Sequence, residues 1–266
     1  MLSLIENALA LKRRMRAGEV VLGAWMDLVD PCVAELMAGI GFDWILIDSE
    51  HGPIDISTLQ TMLIGMKGSP TVPIVRVPWN DQVVIKRTLD VGAMGLVVPL
   101  VRTAQDVRDA ISYAKYPPQG VRGCAPRRPS DYGRKYHEYL EHANDAVIVI
   151  VQIEHAEAVK NLDEILRVPD LDGIFVGPAD LSNSLGYVGR PDAPEVQAVI
   201  DQVLQKAHAA GVCAGVAVGG SVADLACWIE RGVQFLPVGG DRRFINTMGA
   251  QMLAGVLDYL AQRPAR

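Results

Sequence analysis

Residues 44–53 read WILIDSEHGP. An unbroken apolar run stops abruptly in Asp48, Ser49, Glu50, His51 and Gly52. Such a run marks a strand buried on both faces, as in parallel sheets whose sides are covered by helices. Three ionisable groups crowded at its end carry a desolvation cost unless they line a polar site. The pattern recurs where AVIVIVQIE (146–154) closes on Gln152-Ile153-Glu154, and where GIFV (173–176) runs into Gly177-Pro178-Ala179-Asp180. In barrels of alternating strands and helices, chemistry sits at the carboxyl ends of the strands. The remaining chain has to bring these three ends together.

Outward from that stretch, the rhythm of strand and helix is regular. An opening helix is expected over residues 3–17, then a first strand in VVLGAWM ending near Trp25. Asp30-Pro31 starts an amphipathic helix through Ile40, with proline in the first turn where it is tolerated. After the second strand come a helix over Ile56–Lys67, a strand in PIVRVP carrying Arg76, and a helix over Asp81–Val91 stopped by Gly92. GLVVPLV is a fourth strand, and Thr103 caps a helix to about Tyr116. Residues 117–144 break the rhythm with a Gly- and Pro-rich, basic insertion, the kind of long loop that serves a function or packs on a neighbour. The fifth strand ends at Glu154, and a helix over Ala156–Arg167 leads to the sixth in GIFVGPADL. A helix over Pro194–Ala210, a strand in VCAGVAV, a helix over Val222–Glu230, a strand in FLPVGGD and a closing helix over Arg242–Ala261 complete the chain.

Eight strands alternating with helices over 266 residues predict an α/β chain folded as one (β/α)8 TIM barrel, which typically needs about 250 residues. The competing reading, a doubly wound open sheet, lacks its nucleotide fingerprint: GAWMDLVDP after the first strand is not a Gly-rich phosphate turn. Half of the residues are hydrophobic and 21% charged, enough for a large core. A net charge of −6 argues against a sequence-independent nucleic-acid binder. Cys32, Cys124, Cys213 and Cys227 show no CxxC spacing and read as reduced core residues of a cytoplasmic protein. The N-terminal stretch has neither the charge order nor the cleavage site of a signal peptide, and no run is long enough for a membrane span.

On a barrel, Trp25, Asp48, Glu50, His51, Arg76, Gln152, Glu154, Gly177 and Asp180 all fall at carboxyl ends of strands. Glu154 and Asp180, on neighbouring strands, suit a hard divalent cation with open positions for water and substrate, magnesium or manganese before cobalt or zinc. Helix capping is the competing reading for Asp180. His51 is the expected general base, three residues after Asp48, whose carboxylate is placed to orient the ring; the alternative is a loop hydrogen-bond donor. Arg76 offers a planar donor fork for a carboxylate or developing oxyanion, or else a structural ion pair. None of the lysines falls on a predicted strand, so the sequence offers no interior amine for imine chemistry.

These residues resemble the metal-dependent pyruvate aldolases of the HpcH/HpaI (4-hydroxy-2-oxoheptanedioate aldolase) family. The matching stretches are GFDWILIDSEHGP, PIVRVP, IKRTLDVGA, VVPLV, YPPQGVRG, VQIE, NLDEIL, DGIFVGPADLSNSLGY and PEVQ, in order over most of the chain. The resemblance implies a barrel whose closing helix packs on a neighbouring subunit in a hexamer or trimer. It implies a divalent cation on Glu154 and Asp180, and His51 as base supported by Asp48 and Asp90. Arg76 would stand at the pyruvyl oxygen, with Trp25 and Gln152 nearby and the backbone of Gly177, Pro178 and Ala179 on the substrate carboxylate. The substrates would be a small 2-oxo acid and an aldehyde, with no nucleic-acid or membrane partner. Decarboxylation of oxaloacetate through the same enolate is the alternative activity, and a barrel reduced to a binding module the alternative from another class. After YPPQGVRG the family often continues with small residues and one arginine. Here CAPRRPSDYGRKY brings Arg127, Arg128 and Arg134 together, either as charge at the aldehyde end of the site or as a solvated or intersubunit loop. Arg76→Ala is expected to leave the fold intact and cut turnover.

Overall fold

The computed structural model describes residues 2–263. Helix α1 (Leu2–Arg16) precedes β1 (Val21–Met26), followed by α2 (Pro31–Gly39), β2 (Trp44–Asp48), α3 (Ile56–Gly65), β3 (Val72–Arg76), α4 (Gln82–Asp90), β4 (Gly95–Val98) and α5 (Ala104–Ala114). Then come α6 (Tyr136–Ala146), β5 (Ile148–Ile153), α7 (Ala156–Lys160), α8 (Leu162–Ile165), β6 (Gly173–Val176), α9 (Pro178–Ser184) and α10 (Pro194–Ala209). The chain closes with β7 (Cys213–Val216), α11 (Val222–Glu230), β8 (Phe235–Gly240) and α12 (Asp241–Ala261). The eight strands pair in sequence order, all parallel, and β8 returns to β1 to close the barrel. This is the (β/α)8 architecture expected from the alternation.

The strands have two apolar faces, and each builds its own core. Outward residues such as Ile45, Ile47, Val75, Val149 and Val151 pack under the helices. Inward ones, offset by one position, form a second cluster of Trp44, Leu46, Val72, Ile74, Ile148, Ile150, Phe175 and Phe235. Helix α1 plugs the barrel at the amino ends of the strands, contributing Ile5, Ala8, Leu11 and Met15 to that inner cluster. Above the plug lies an aromatic layer. Trp44 stacks on Phe235 with centroids 3.7 Å apart, and Phe175 meets Phe235 edge-on at 5.8 Å. Gly23 makes room for it, since a Cβ there would come within 2.0 Å of the Trp44 ring.

The same period of two continues upward into polar residues. After Trp44 and Leu46 the next inward residue of β2 is Asp48; after Val72 and Ile74 that of β3 is Arg76; after Ile148 and Ile150 that of β5 is Gln152, then Glu154. Register sets Asp48 opposite Arg76. The apolar plug and aromatic layer therefore end in a polar floor at the carboxyl ends of the strands.

Several local expectations change. The segment 117–144, read as irregular, ends in α6, whose Tyr139, Ala143 and Ala146 are buried at helical spacing. The helix expected over Ala156–Arg167 is two short ones meeting at Asn161. GPADL is not strand: it begins α9, with Pro178 in the first turn. Of the four cysteines only Cys213 is buried, while Cys32, Cys124 and Cys227 are exposed, and all are free thiols. Their apolar neighbours belong to amphipathic helices and turns, not to fully buried segments. Two lysines are buried after all. Lys12 donates to the Val147 carbonyl (2.7 Å) and pairs with Asp172 (3.0 Å), and Lys115 pairs with Asp170 (2.8 Å). Their partners precede β5 and β6, at the opposite mouth from the polar floor. No helix among the described residues is long and apolar enough to cross a membrane.

Candidate active site

A cavity of about 680 Å³ opens over the polar floor, lined by strand ends from β1, β2, β3, β5, β6, β7 and β8. Trp25, Asp48, His51, Arg76, Gln152, Gly177, Pro178, Ala179 and Asp180 all line it. Buried Glu154 lies just beneath: a Cβ on Gly177 would come within 2.9 Å of its Oε2, so the missing side chain is the space that carboxylate occupies.

Arg76 is the hub. Its Nε donates to Asp48 Oδ1 (2.8 Å) and Nη2 to Asp48 Oδ2 (2.5 Å), a two-pronged pair in a nearly buried setting. Its Nη1 stands 3.2 Å from Glu50 Oε2, and its guanidinium lies 4.7 Å from the Trp25 ring centroid. Burial pushes Asp48 up, yet the bonds and charge of Arg76 and the backbone N–H groups of His51 and Glu50 outweigh it and hold the carboxyl below its usual range. Asp48 is thus committed to Arg76 and to the loop backbone. It does not orient the His51 ring, as its spacing had suggested; the contact is with the His51 N–H (3.3 Å). The ring itself is largely open to the cavity, its side chain 67% exposed, with Nε2 3.9 Å from Glu50 Oε2.

Glu154 accepts from the Leu100 N–H at Oε1 (2.7 Å) and from Gln152 Nε2 at Oε2 (2.7 Å). Burial, with the nearby charges of Glu50 and Asp180, raises it to about 7 despite the Leu100 N–H and Arg76. Glu50 is raised for the same reasons, burial first and then Asp48 and Asp180, against the pull of Arg76. The site therefore holds more anionic oxygen than Arg76 neutralises. Gln152 Oε1 is buried there with no hydrogen-bond partner, and buried Glu50 Oε2 faces only the Arg76 guanidinium at 3.2 Å. Carboxylate and amide oxygens left in this condition fit a hard divalent cation with its waters. No cluster of three or more His, Cys, Asp or Glu groups stands ready to cage an ion among the described residues.

Within one chain, Asp90 stands apart from this constellation. It ends α4, a helix that returns antiparallel to the strands and so finishes at the far end of the barrel. There it pairs with buried Arg122 (2.8 Å) and lines a second cavity of about 540 Å³ with Arg127, Arg128 and Tyr132. The basic insertion does not reach the active-site cavity within one chain. Arg128 donates to the carbonyls of Leu63 (2.6 Å) and Val91 (3.0 Å), and Arg134 pairs with Asp131 (2.8 Å).

Sequence reasoning missed the wall formed by Asp27 and the start of α12. Asp241 is buried, and its Oδ2 accepts from the N–H groups of Asp27 (2.9 Å) and Leu28 (2.8 Å). Arg242 pairs with Asp27 (2.8 Å), and Arg243 and Asn246 complete the rim. Asp27 and Asp241 follow β1 and β8 directly, so the rule that singled out Asp48 would have found them.

The profile of the family described as HpcH/HpaI aldolase/citrate lyase matches residues 22–246. A 4-hydroxy-2-oxo-heptane-1,7-dioate aldolase of Salmonella dublin is 43% identical over 247 residues, covering 92% of this chain and 93% of the relative. Among solved structures, an HpcH/HpaI aldolase/citrate lyase family protein from Burkholderia cenocepacia J2315 superposes with a TM-score of 0.88 at 34% identity, covering 93% of this chain and 98% of that one. The citrate synthase SbnG superposes at 0.83 with 31% identity, over 96% and 100% of the two chains.

Proposed function

Because the chain belongs to the HpcH/HpaI aldolase/citrate lyase family, we propose that it is a class II pyruvate aldolase, a carbon–carbon lyase that reversibly cleaves 4-hydroxy-2-oxo acids to pyruvate and an aldehyde. One observation carries this reading: Asp180, Gln152, Arg76 and His51 line a single cavity, with Glu154 directly beneath it. The two acids are the residues to hold a divalent cation, magnesium or manganese, which when bound supplies Lewis-acid polarisation of the 2-oxo group.

The chain's own groups divide the remaining work. The first-turn N–H groups of Ala179 and Asp180 have no partner within α9 and face the task of holding the substrate carboxylate. Trp25, fixed over Phe175 at 5.8 Å, gives the pyruvyl methyl an apolar wall. His51, open to the cavity, removes a methyl proton at Nε2 in the synthetic direction. In cleavage it takes the C4 hydroxyl proton, and the C3–C4 electron pair passes into the enolate. Arg76, already charged and immobilised by Asp48, sits ready for the negative charge that develops on the 2-oxo oxygen, with no reorganisation needed at that moment. Gln152 keeps the Glu154 carboxylate oriented.

The closing helix supports an assembly of several copies. Of its residues only Asp241 is buried, and Ile245, Met248, Met252, Leu253, Val256 and Leu257 are exposed apolar side chains. A helix exposing so many belongs against another surface, and we propose that it packs on a neighbouring subunit.

The test is pyruvate release from a panel of 4-hydroxy-2-oxo acids, before and after chelation and with magnesium or manganese restored. Turnover lost on chelation and recovered with the ion is expected. Activity that survives chelation and is killed by borohydride in the presence of substrate would sink the proposal in favour of an imine route.

A further inference from the structure

Glu154 is held by two donors, and one of them comes from a residue with no polar side chain. Gln152 Nε2 donates to Oε2 and the Leu100 N–H donates to Oε1, each at 2.7 Å. Leu100 lies two residues beyond β4, between buried Pro99 and buried Val101, with its own side chain 37% exposed. It adds to the wall of a separate cavity of about 150 Å³, beside Trp79, Asn80 and Pro99, and not to that of the active-site cavity.

Its backbone is the anomaly. Leu100 has φ 56°, in the left-handed region. There the Cβ of an L-residue crowds the following carbonyl oxygen, so glycine is the default, and asparagine or aspartate the usual exception. Leucine has no side-chain hydrogen bond to offset the strain. Such a conformation persists only where the surroundings over-determine it, and these positions gather at functional sites. Here Pro99, whose ring fixes its own φ, and buried Val101 anchor the chain on either side. Between them the backbone delivers one N–H to a buried carboxyl. A half-exposed leucine side chain gains little from the arrangement; the N–H contact is what the strain secures.

A carboxylate oxygen has two lone-pair sites. With one on Oε1 taken by Leu100 and one on Oε2 taken by Gln152, the rotation of the Glu154 carboxylate is fixed, and one site on each oxygen stays free. We propose that Leu100 is a positioning residue of the cation site: its left-handed backbone aims the N–H at Glu154 Oε1 and holds that carboxylate in the orientation that receives the divalent ion. This rests on the reading that Glu154 and Asp180 hold the cation, and adds to it a residue that acts through its main chain alone.

The experiment strips the full chain of metal, titrates it with Mn²⁺ and follows binding by electron paramagnetic resonance. It compares wild type with Leu100→Gly, which keeps the N–H and accepts the same φ, and with an ester variant in which oxygen replaces the Leu100 amide nitrogen and the side chain is kept. Partners that hold a metal ligand carry about ten- to a hundredfold in affinity, so the ester variant should bind Mn²⁺ about tenfold or more weakly. Leu100→Gly should stay within about threefold of wild type, since glycine takes up this conformation without strain. Turnover of the ester variant should fall at limiting Mn²⁺ and recover at saturating Mn²⁺, a rescue that a general structural defect would not give. Wild-type affinity in the ester variant, equal weakening in Leu100→Gly, or turnover that saturating Mn²⁺ does not restore overturns the assignment while leaving the metal site standing. Absence of Mn²⁺ binding in wild type overturns the metal reading and this one together. Should the ester variant not fold, hydrogen exchange of the Leu100 amide in the metal-free chain decides. It should be slow in wild type and about tenfold or more faster in Glu154→Ala, and equal rates overturn the assignment.

Discussion

At the scale of single residues, the site is governed by how few cations answer its carboxylates. Arg76 neutralises Asp48 so fully that the two behave as one unit, which changes what its removal should do. Arg76→Ala leaves buried Asp48 without its partner, a loss that costs about 3–5 kcal/mol for a buried pair. The variant should therefore be measurably less stable in denaturant, contrary to what its position in the sequence implied, and slower by about a hundredfold or more. Replacing both partners, as Asp48→Asn with Arg76→Gln, should recover much of the stability and none of the turnover. Recovery of both would assign the pair to structure alone. Glu154 makes a prediction of opposite character. Its carboxyl is raised from 4.5 to about 7 in the fold, so the folded state holds the proton more tightly than the unfolded chain. That contribution to stability is complete below about pH 4.5 and is lost as pH rises through about 7, on the order of 3 kcal/mol at ~1.4 kcal/mol per unit. Unfolding of the metal-free protein followed from pH 4.5 to 8 should reveal this slope, and Glu154→Gln should flatten it. Equal slopes for the two proteins would show that Glu154 titrates normally.

At the scale of elements, the helices whose ends carry their own signals are the ones the sequence delimits. Asp30 accepts from the N–H groups of Cys32 (2.7 Å) and Val33 (3.3 Å), and Thr103 accepts from the Asp106 N–H while Asp106 reaches back to the Thr103 N–H. Thr103→Ala should cost about 1 kcal/mol in chemical denaturation with activity retained, because the cap closes α5 on the outside of the barrel. A loss below the error of the measurement would mean that packing, not capping, holds that end. Where local signals conflict, reading fails. The spacing of Tyr139, Ala143 and Ala146 marks α6, but the Gly- and Pro-rich residues before it mask the helix. GIFVGPADL reads as one strand, yet Pro178 opens α9, tolerated there because its missing N–H would have had no partner.

At the scale of the whole molecule, α12 is the element whose apolar side chains stand exposed on the single chain. Leu253 and Leu257 are 63% and 55% exposed on a helix with one buried residue, so Leu253→Asp with Leu257→Asp should convert an assembled wild type to monomer in sedimentation velocity while preserving the barrel's circular dichroism. An unaltered sedimentation coefficient would place the subunit contact elsewhere. By itself the sequence determined the eight-fold alternation, the inward and outward faces of each strand, and the set of strand ends at which Asp48, Arg76, Gln152, Glu154 and Asp180 would emerge. These follow from periods of two and 3.6 residues, which are local properties of the chain. Closure of the barrel decided the partners. It took Asp48 from His51 and gave it to Arg76, carried Asp90 to the far mouth, and brought Arg242 against Asp27 from 215 residues away, with Arg243 beside it on the rim. Such pairings depend on strand register and on which helix end faces which mouth, and neither is written in any short stretch of chain.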